Sequence, residues 1–345
     1  MPVAYDRRVS IAMVSDSRGL SMFVSHRRMF AGVGATAAAI TASSFFAAPV
    51  QAAATGTAKV VGSDTVSFVA ARGKVNRVVI TRSGNTVTID DSVAVKAGRG
   101  CKAVEGDKTR VTCTTSAATA WLEITLGDKS DTLKNKSDLT MLGQGGDGND
   151  KLTGGVSDFL NGGAGNDTLI GGTSLYGGTG NDVLDSLGGD DLLDGGLGAD
   201  VLNGGGGLDV VFYGDRSKAV TADLDGGKGD DGEKGEKDSI GADVEGLFGG
   251  SGADKLTGNA QATTIYSGPG NDVVYGGAGN DTLHGGAGDD ELYGGTGDDY
   301  IIGQDEGPAK DRLDGGANTA VGDTCLVTAT GTTVNCEHFE EPNDI

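Results

Sequence analysis

An apolar residue recurs every nine positions through much of the second half of the chain, and an aspartate stands two residues before nearly all of these positions. From Gly249 the chain divides into six consecutive units of nine, whose typical pattern is Gly-Gly-x-Gly-x-Asp-x-apolar-x. A three-residue strand around position eight would point its apolar side chain inward, so two strands and two turns make one coil of about eighteen residues. The apolar positions are Leu152, Leu169, Leu184, Leu193, Leu202, Val211, Leu256, Val274, Leu283, Leu292 and Ile301.

The repeats fall into two arrays, over 143–212 and 249–324, separated by an insertion at 213–248 that we expect to add one or two coils. The first array is less regular than the second, because shortened units at Gly154 and Gly171 interrupt its frame. In the second array, looser units after Ile302 carry Asp311 and Asp323. Residues 325–345 then form a C-terminal cap, which the last coil of a solenoid requires.

Residues 55–142 do not repeat and predict a small β-domain. β-Branched runs at 60–61, 66–69, 78–80 and 86–89 alternate with turn residues, and 83–85 reads as a hairpin turn. Trp121 precedes one further strand candidate.

Residues 1–54 predict an N-terminal export signal. Arg27 and Arg28 precede an apolar, small-residue-rich stretch from Met29 to Val50, and cleavage is expected after Ala52 or Ala54. The alternative is a membrane anchor, since the stretch approaches the ~20 residues needed to span a bilayer, but its Gly, Ala, Ser and Thr content is too mild for that role. We therefore expect a secreted, extracellular protein with no membrane span after processing.

Four cysteines remain after that cleavage, an even number that suggests two disulfides in an exported chain. Three pairings are open, and the local one closes two small loops, each worth about 3 kcal/mol in the chain-entropy model. Free thiols or zinc ligation are the alternatives, but no Cys-x-x-Cys spacing supports zinc. The cysteines are Cys101, Cys113, Cys325 and Cys336.

The formal net charge of −22 excludes nucleic acid as a natural partner and leaves a choice between a solvated acidic chain and one neutralised by cations. The repeat favours cations. Units two apart would stack at about 4.8 Å, which places Asp182 over Asp200 and Asp272 over Asp290. Carboxylates about 5 Å apart repel by about 3 kcal/mol at an effective dielectric of 20. Calcium suits such turns because it accepts six to eight oxygens in irregular geometry.

The pattern resembles that of the repeats-in-toxin (RTX), or haemolysin-type, calcium-binding proteins, and the overall layout resembles short secreted actinobacterial members of that group. The resemblance implies a right-handed parallel β-roll with calcium held in its turns by the position-six aspartates and by backbone carbonyls. The implied carboxylate ligands are Asp150, Asp167, Asp182, Asp191, Asp200, Asp209, Asp254, Asp272, Asp281, Asp290 and Asp299. The implied carbonyl ligands are Gly146, Gly148, Gly163, Gly165, Gly178, Gly180, Gly196, Gly198, Gly250, Gly252, Gly277, Gly279, Gly286, Gly288, Gly295 and Gly297.

Two units depart from the pattern and are expected to bind calcium weakly or not at all: Thr263 replaces the aspartate in one, and the unit at Gly171 has none. No His-Glu-x-x-His or Gly-x-Ser-x-Gly motif occurs, which favours a non-catalytic structural or adhesive module. The alternative is an accessory or truncated secreted hydrolase or epimerase that carries an RTX array. Cell-wall or extracellular polysaccharide is the candidate partner besides calcium.

Overall fold

The computed structural model describes residues 10–16, 19–25, 55–303, 309–317, 321–327 and 331–340. These residues form strands and turns without a helix, which confirms the all-β prediction. It follows that none of the described segments is a helix able to cross a membrane. The apolar stretch and cleavage site of the predicted export signal lie outside the described residues.

The chain divides into two compact units, 1–52 and 53–345. The first contains an antiparallel hairpin that the sequence did not predict, in which Ser10 lies opposite Ser25. Its strands are β1 (Ser10–Asp16) and β2 (Gly19–Ser25).

The second unit begins with a largely antiparallel region and continues into short strands separated by glycine-rich turns. The early strands are β3 (Gly56–Val61), β4 (Thr65–Val69), β5 (Arg77–Ser83), β6 (Thr86–Asp90), β7 (Val95–Ala97), β8 (Cys101–Val104) and β9 (Asp107–Thr114). The next are β10 (Trp121–Asp128), β11 (Thr132–Asn135), β12 (Thr140–Asp147), β13 (Lys151–Thr153), β14 (Phe159–Ala164), β15 (Thr168–Ile170), β16 (Ser174–Thr179), β17 (Val183–Asp185), β18 (Leu192–Leu197), β19 (Val201–Asn203) and β20 (Val210–Phe212).

The remaining strands cover the insertion, the second array and the C-terminal cap. They are β21 (Val220–Asp223), β22 (Gly232–Glu233), β23 (Ser239–Ile240), β24 (Gly246–Phe248), β25 (Lys255–Thr257), β26 (Thr264–Tyr266), β27 (Val273–Ala278), β28 (Thr282–His284), β29 (Glu291–Thr296), β30 (Tyr300–Gly303), β31 (Arg312–Ala317), β32 (Thr324–Val327), β33 (Thr332–Val334) and β34 (His338–Glu340).

Three sheets build the second unit, and successive strands of the arrays alternate between one long sheet and one of the other two. Over the described residues the long sheet has the order β34-β32-β30-β28-β26-β24-β20-β18-β16-β14-β12-β10-β4-β3-β7. A second sheet, β23-β19-β17-β15-β13-β11-β5-β6-β9-β8, accompanies its first part, and a third, β22-β21-β25-β27-β29-β31-β33, accompanies its later part. The result is the expected parallel β-solenoid, of about 11 turns.

Parallel register places equivalent positions of successive coils side by side. Leu152 pairs with Leu169, which lies beside Leu184 in the next coil, and Leu184 pairs with Leu202. All the position-eight residues predicted to point inward are fully buried, so the core is a ladder of one apolar side chain per short strand.

Residues 55–142 contain the expected strands and the expected hairpin turn, where Ser83 lies opposite Thr86. Their strands also join the solenoid, since β10 pairs in parallel with both β4 and β12. The proposed boundaries at 142, 212, 248 and 324 stay a prediction. Within the insertion, β21 and β22 form an antiparallel pair and β24 continues the long sheet.

The four cysteines form the two local disulfides, one of the three pairings left open by the sequence. Cys101–Cys113 joins the antiparallel neighbours β8 and β9. Cys325–Cys336 joins β32 to the turn before β34, with Cα atoms 6.0 Å apart. The second disulfide therefore fastens the last described turn of the solenoid to the preceding coil.

Candidate metal centre

The turns of the solenoid stack into columns, and each column carries one position-six residue per coil. The first column contains Asp131, Asp150, Asp167, Asp182, Asp200 and Asp238. The second column contains Asp191, Asp209, Glu245, Thr263, Asp281, Asp299, Asp323 and Glu337. The third column contains Asp254, Asp272, Asp290 and Asp311. Backbone hydrogen bonds define this order, because the residue after each position six donates its N–H to the position-six carbonyl of the preceding coil, as Thr168 does to Asp150.

In most column aspartates, one carboxylate oxygen joins neighbouring coils. The Oδ1 atom of Asp200 accepts the N–H of Asp182 at 2.7 Å, and that of Asp290 accepts the N–H of Asp272 at 2.8 Å. The same contact links Asp191 with Asp209 and Asp281 with Asp299, so the structure shows the stacking that the nine-residue period predicted.

The other carboxylate oxygen is buried without a hydrogen-bond partner in many of these turns. A buried polar atom of this kind costs about 1–3 kcal/mol unless something else satisfies it. The Oδ2 atoms in this position include those of Asp150, Asp167, Asp182, Asp200, Asp209, Asp281, Asp299 and Asp323. Such a row of orphaned anionic oxygens is the donor set that a hard cation requires.

The glycine at position one leaves room for that cation. A Cβ atom on Gly162 would meet the Asp167 Oδ2 and, at 2.7 Å, the carbonyl oxygen of Gly177 in the next coil. The backbone of Gly162 does not have the left-handed conformation, so the space itself explains the glycine. A carboxylate oxygen and a carbonyl oxygen from two coils thus converge on one point.

The glycines at positions two and four turn the backbone between coils. Gly163 has φ +108°, and its missing Cβ would collide with the carbonyl of Gly146 in the preceding coil. All the position-two and position-four glycines named above share a positive φ except Gly250 and Gly252, at the start of the second array.

The exception has a visible cause in the coil that precedes Gly250. Arg216 and Lys218 take the places of the two glycines there, since their carbonyls lie beside the positions where Cβ atoms of Gly250 and Gly252 would stand. Val220 replaces the aspartate and donates its N–H to Asp254. The buried guanidinium of Arg216 also donates to the carbonyl of Gly196. The positive charge of Arg216 therefore lies where the first column ends and the third column begins.

Burial raises the pKa of the column aspartates because desolvation penalises the charged carboxylate. The pKa rises to about 7 for Asp150 and Asp182 and to about 8 for Asp200 and Asp209. The charges of neighbouring carboxylates add to the effect; for Asp209 these are chiefly Asp191 and Glu245. A bound dication would offset both causes, because it removes the repulsion and stabilises the charged form.

Several column residues lie outside the ligand set taken from the repeat. Asp131, Asp238 and Glu245 occupy position six although few glycines surround them, and Lys129 adopts the left-handed φ of +83° where a glycine would stand. One signal could have found them, since an acidic residue followed two positions later by an apolar one recurs even where the glycines are lost. Other residues with this spacing are Asp158, Asp311, Asp323 and Glu337.

The two units expected to bind weakly lack a carboxylate in their column. Thr263 donates its N–H to the Oδ1 of Asp281 at 2.7 Å, and its hydroxyl donates to the carbonyl of Gln261. In the Gly171 unit, Thr173 lies between Asp158 and Asp191 in the backbone hydrogen-bond order. A further carboxylate group on the insertion, formed by Asp223, Asp225 and Asp230, lies outside the columns.

Comparison with protein families gives a match where the columns are most regular. A model of the RTX calcium-binding nonapeptide repeat (4 copies) matches residues 144–158, 157–174, 175–214, 248–283 and 275–305. A search of curated proteins found no match. Most of the orphaned oxygens in the columns belong to repeats that the family model matches, whereas Asp323 lies outside the matched residues. The chain therefore carries RTX calcium-binding nonapeptide repeats over these residues, and repeats of this kind bind multiple calcium ions.

Proposed function

We propose that this chain is a secreted, non-catalytic calcium-binding module whose solenoid folds when calcium binds outside the cytosol. The observation that carries the proposal is the buried Oδ2 oxygen that faces a carbonyl of the next coil, as Asp167 faces Gly177. We assign as ligands the repeat aspartates, the position-one carbonyls that converge on them, and the position-two and position-four carbonyls named from the sequence. Those of Gly250 and Gly252 are the weakest members, given their altered backbone.

Each ligand residue has a distinct task. One aspartate oxygen fixes the spacing of the coils through the N–H of the preceding turn, and the other points toward the cation. Calcium, when bound, supplies the positive charge that neutralises the column. It fits better than magnesium, which demands a strict octahedron and releases its water reluctantly.

The energy that calcium supplies is comparable with the stability of a domain. A site with a dissociation constant of about 10⁻⁴ M gains about 1.4 kcal/mol at about 1 mM calcium. Eight such sites together contribute about 11 kcal/mol, within the range of a whole domain's stability. Without them, the buried carboxylates repel one another across every coil, so the array is expected to expand.

Secretion is supported by the disulfides and by the predicted export signal. Disulfides persist in oxidising compartments and are rare in the cytosol. The chain has two, Cys101–Cys113 and Cys325–Cys336. Cytosolic calcium is low, so a calcium-dependent fold would form only after export.

A non-catalytic role is supported by the surroundings of the two described histidines. His284 stacks on Tyr266 with ring centroids 4.2 Å apart, and burial lowers its pKa to about 4. A neutral ring held in an aromatic stack is a packing element. The Nε2 of His338 lies 3.1 Å from the carbonyl of Val321, a backbone contact at the end of the solenoid.

The test is a calcium titration of the full mature chain followed by circular dichroism. Strand signal should appear cooperatively as calcium rises and disappear in excess chelator, while the same concentration of magnesium should give little. A solenoid spectrum that is complete in chelator would overturn the proposal. Immobilised cell-wall polysaccharide, offered with and without calcium, tests the adhesive role separately.

A further inference from the structure

Two turns of the second column repeat the oxygen arrangement of the repeat turns although neither belongs to a nonapeptide repeat. They are residues 241–245, in the insertion, and 335–337, in the C-terminal cap, and both lie outside the ranges that the family model matches. Each carries a glutamate at position six where the repeats carry aspartate.

The glutamates make the contact that joins coils in the repeats. The Oε2 atom of Glu245 accepts the N–H of Asp209 at 3.0 Å, and that of Glu337 accepts the N–H of Asp323 at 2.9 Å. In the repeats the same contact is made by an aspartate Oδ1, at 2.8 Å between Asp281 and Asp299. The glutamate carboxylates therefore occupy the place of the repeat aspartates in the column.

Each glutamate turn also supplies a backbone carbonyl oxygen that lies close to an orphaned carboxylate oxygen of the preceding coil. The Oδ2 of Asp209 and the carbonyl oxygen of Asp243 lie 2.6 and 2.7 Å from the point where a Cβ of Gly204 would stand. The repeat turn at Gly162 has the same arrangement, with the Gly177 carbonyl at 2.7 Å. Asp209 is fully buried, and its Oδ2 has no hydrogen-bond partner.

The C-terminal turn repeats this arrangement. A Cβ on Gly315 would meet the Oδ2 of Asp323 and the carbonyl oxygen of Asn335. Asp323 is also fully buried, and its Oδ2 is likewise without a hydrogen-bond partner. An anionic oxygen enclosed in this way indicates a cation ligand as it does in the repeats.

Glutamate replaces aspartate because these turns are shorter. In a repeat, the converging carbonyl stands five residues before the carboxylate, as Gly177 stands before Asp182; here it stands only two residues before the glutamate. The extra methylene of glutamate allows its carboxylate to reach the N–H of the preceding coil from the shorter turn. At the insertion, the Oδ2 of Asp243 accepts the N–H of Gly205 at 2.8 Å and holds the turn in place.

The Cys325–Cys336 disulfide fastens the C-terminal turn. Cys336 lies between Asn335 and Glu337, and its partner belongs to β32, which follows Asp323 directly. The Nδ2 of Asn335 also donates to Asp314 at 2.8 Å. Both oxygen donors of the turn are thus tied to the coil that carries Asp323.

We propose that the chain has two calcium sites outside its repeats, each closed by a glutamate. The junction site consists of Asp209, the Asp243 carbonyl and Glu245. The terminal site consists of Asp323, the Asn335 carbonyl and Glu337. The proposal rests on calcium binding by the solenoid, and it makes the insertion and the cap part of the ion-binding structure.

The test is the number of calcium ions on the purified full chain, measured by native mass spectrometry and by calorimetry. We expect Glu245→Gln and Glu337→Gln each to lose one ion, and the double variant to lose two. Glu123→Gln is the matched control, because Glu123 is an exposed strand residue outside the turn columns. The control should keep the wild-type number.

Variants that keep the wild-type ion number and the wild-type calcium midpoint would overturn the two sites while leaving calcium binding by the repeats intact. A wild-type chain that binds no calcium would overturn both proposals. If Glu245→Gln does not fold, the ion number of Glu337→Gln still tests whether a glutamate completes a calcium site. Glu337 lies in the last described turn, so its substitution leaves the earlier coils unchanged.

The disulfides allow an independent test of the terminal site. Replacing Cys325 and Cys336 with serine should release the same single ion that Glu337→Gln releases, with no further loss when the changes are combined. Replacing Cys101 and Cys113 with serine should leave the ion number unchanged, because that disulfide lies in the antiparallel region. A cysteine pair at 325 and 336 that is irrelevant to the ion number would contradict the terminal site.

Discussion

In the function proposed above, aspartate at position six has two tasks, and its two oxygens divide them. Oδ1 accepts an N–H from the preceding coil, and Oδ2 is left buried for a cation, as in Asp182. Asparagine would keep the first task and weaken the second, because its oxygen carries no charge. An aspartate at this position therefore indicates ion binding more than it indicates the turn conformation, which asparagine could also support.

Glycine at position one is expected to be required by the narrow space between the coils and not by the conformation of the backbone. Gly162→Ala places a methyl group where Asp167 and Gly177 direct their oxygens. In saturating calcium this should lower the free energy of unfolding by about 2–3 kcal/mol. Gly206→Ala is the control, since nothing lies within 4 Å of its Cβ position and its φ is ordinary. Equal thermal stability of the two variants in calcium would contradict the prediction.

Leu187 is strained in a way that glycine should relieve. It is 62% exposed and has φ +70°, a conformation that costs a bulky residue about 1–2 kcal/mol. Leu187→Gly should therefore stabilise the calcium-loaded protein, whereas Leu197→Gly should destabilise it by about 0.5–1 kcal/mol, since Leu197 is exposed but has no such strain. Chemical denaturation in calcium measures both. The same sign of change in both variants would count against this explanation.

At the scale of elements, the strands are too short to hold the solenoid by themselves. Most strands of the two arrays contribute a single buried apolar side chain, and each strand has at most two neighbours in its sheet. The turns therefore carry much of the cohesion. Besides the aspartates, exposed position-five residues link coils: the N–H of Asn166 donates to Asn149, and the N–H of Asn181 donates to Asn166.

These hydrogen bonds between position-five residues predict a small loss of stability when one acceptor is removed. Asn166→Ala removes the acceptor for the N–H of Asn181 and should lower stability by about 0.5–1.5 kcal/mol. Asn166→Asp retains an acceptor and should be close to the wild type, as the repeats themselves use aspartate at Asp289 and Asp298. Hydrogen exchange at Asn181 reads the loss directly. Unchanged protection there in the alanine variant would refute the role.

At the scale of the molecule, one sheet runs through both arrays, but its partner sheet changes at the insertion. The change coincides with Arg216 and Lys218, which replace turn glycines. The whole chain carries a net charge of −22, and many of its acidic side chains are stacked in the turn columns, so we expect the stability of the solenoid to depend on neutralisation coil by coil.

Calcium removal should therefore affect the two ends of the described structure differently. The antiparallel strands β5, β6, β8 and β9 bury Val87, Ile89 and Val111 and are joined by the Cys101–Cys113 disulfide. They do not depend on stacked carboxylates. In chelator, hydrogen exchange should show protection retained over 77–114 and lost over 145–303 and 309–317. Simultaneous loss of protection in both regions would mean that the chain unfolds as one unit.

The amino-acid sequence determined the repeating parts of this protein. Its nine-residue period fixed the inward leucines, the stacked aspartates and the calcium chemistry, because each unit encodes its own turn and strand locally. The same reasoning identified Thr263 as a departure and restricted the cysteines to three pairings.

Tertiary structure alone decided what happens where the period fails. Asp131, Glu245 and Glu337 lack the glycine-rich context that would identify them, and they enter the columns because neighbouring coils supply their partners. The disulfide pairing and the change of partner sheet likewise depend on contacts between residues distant in sequence. A local pattern can specify a coil, but only the packing of one coil on another shows where the stack of coils begins, shifts and ends.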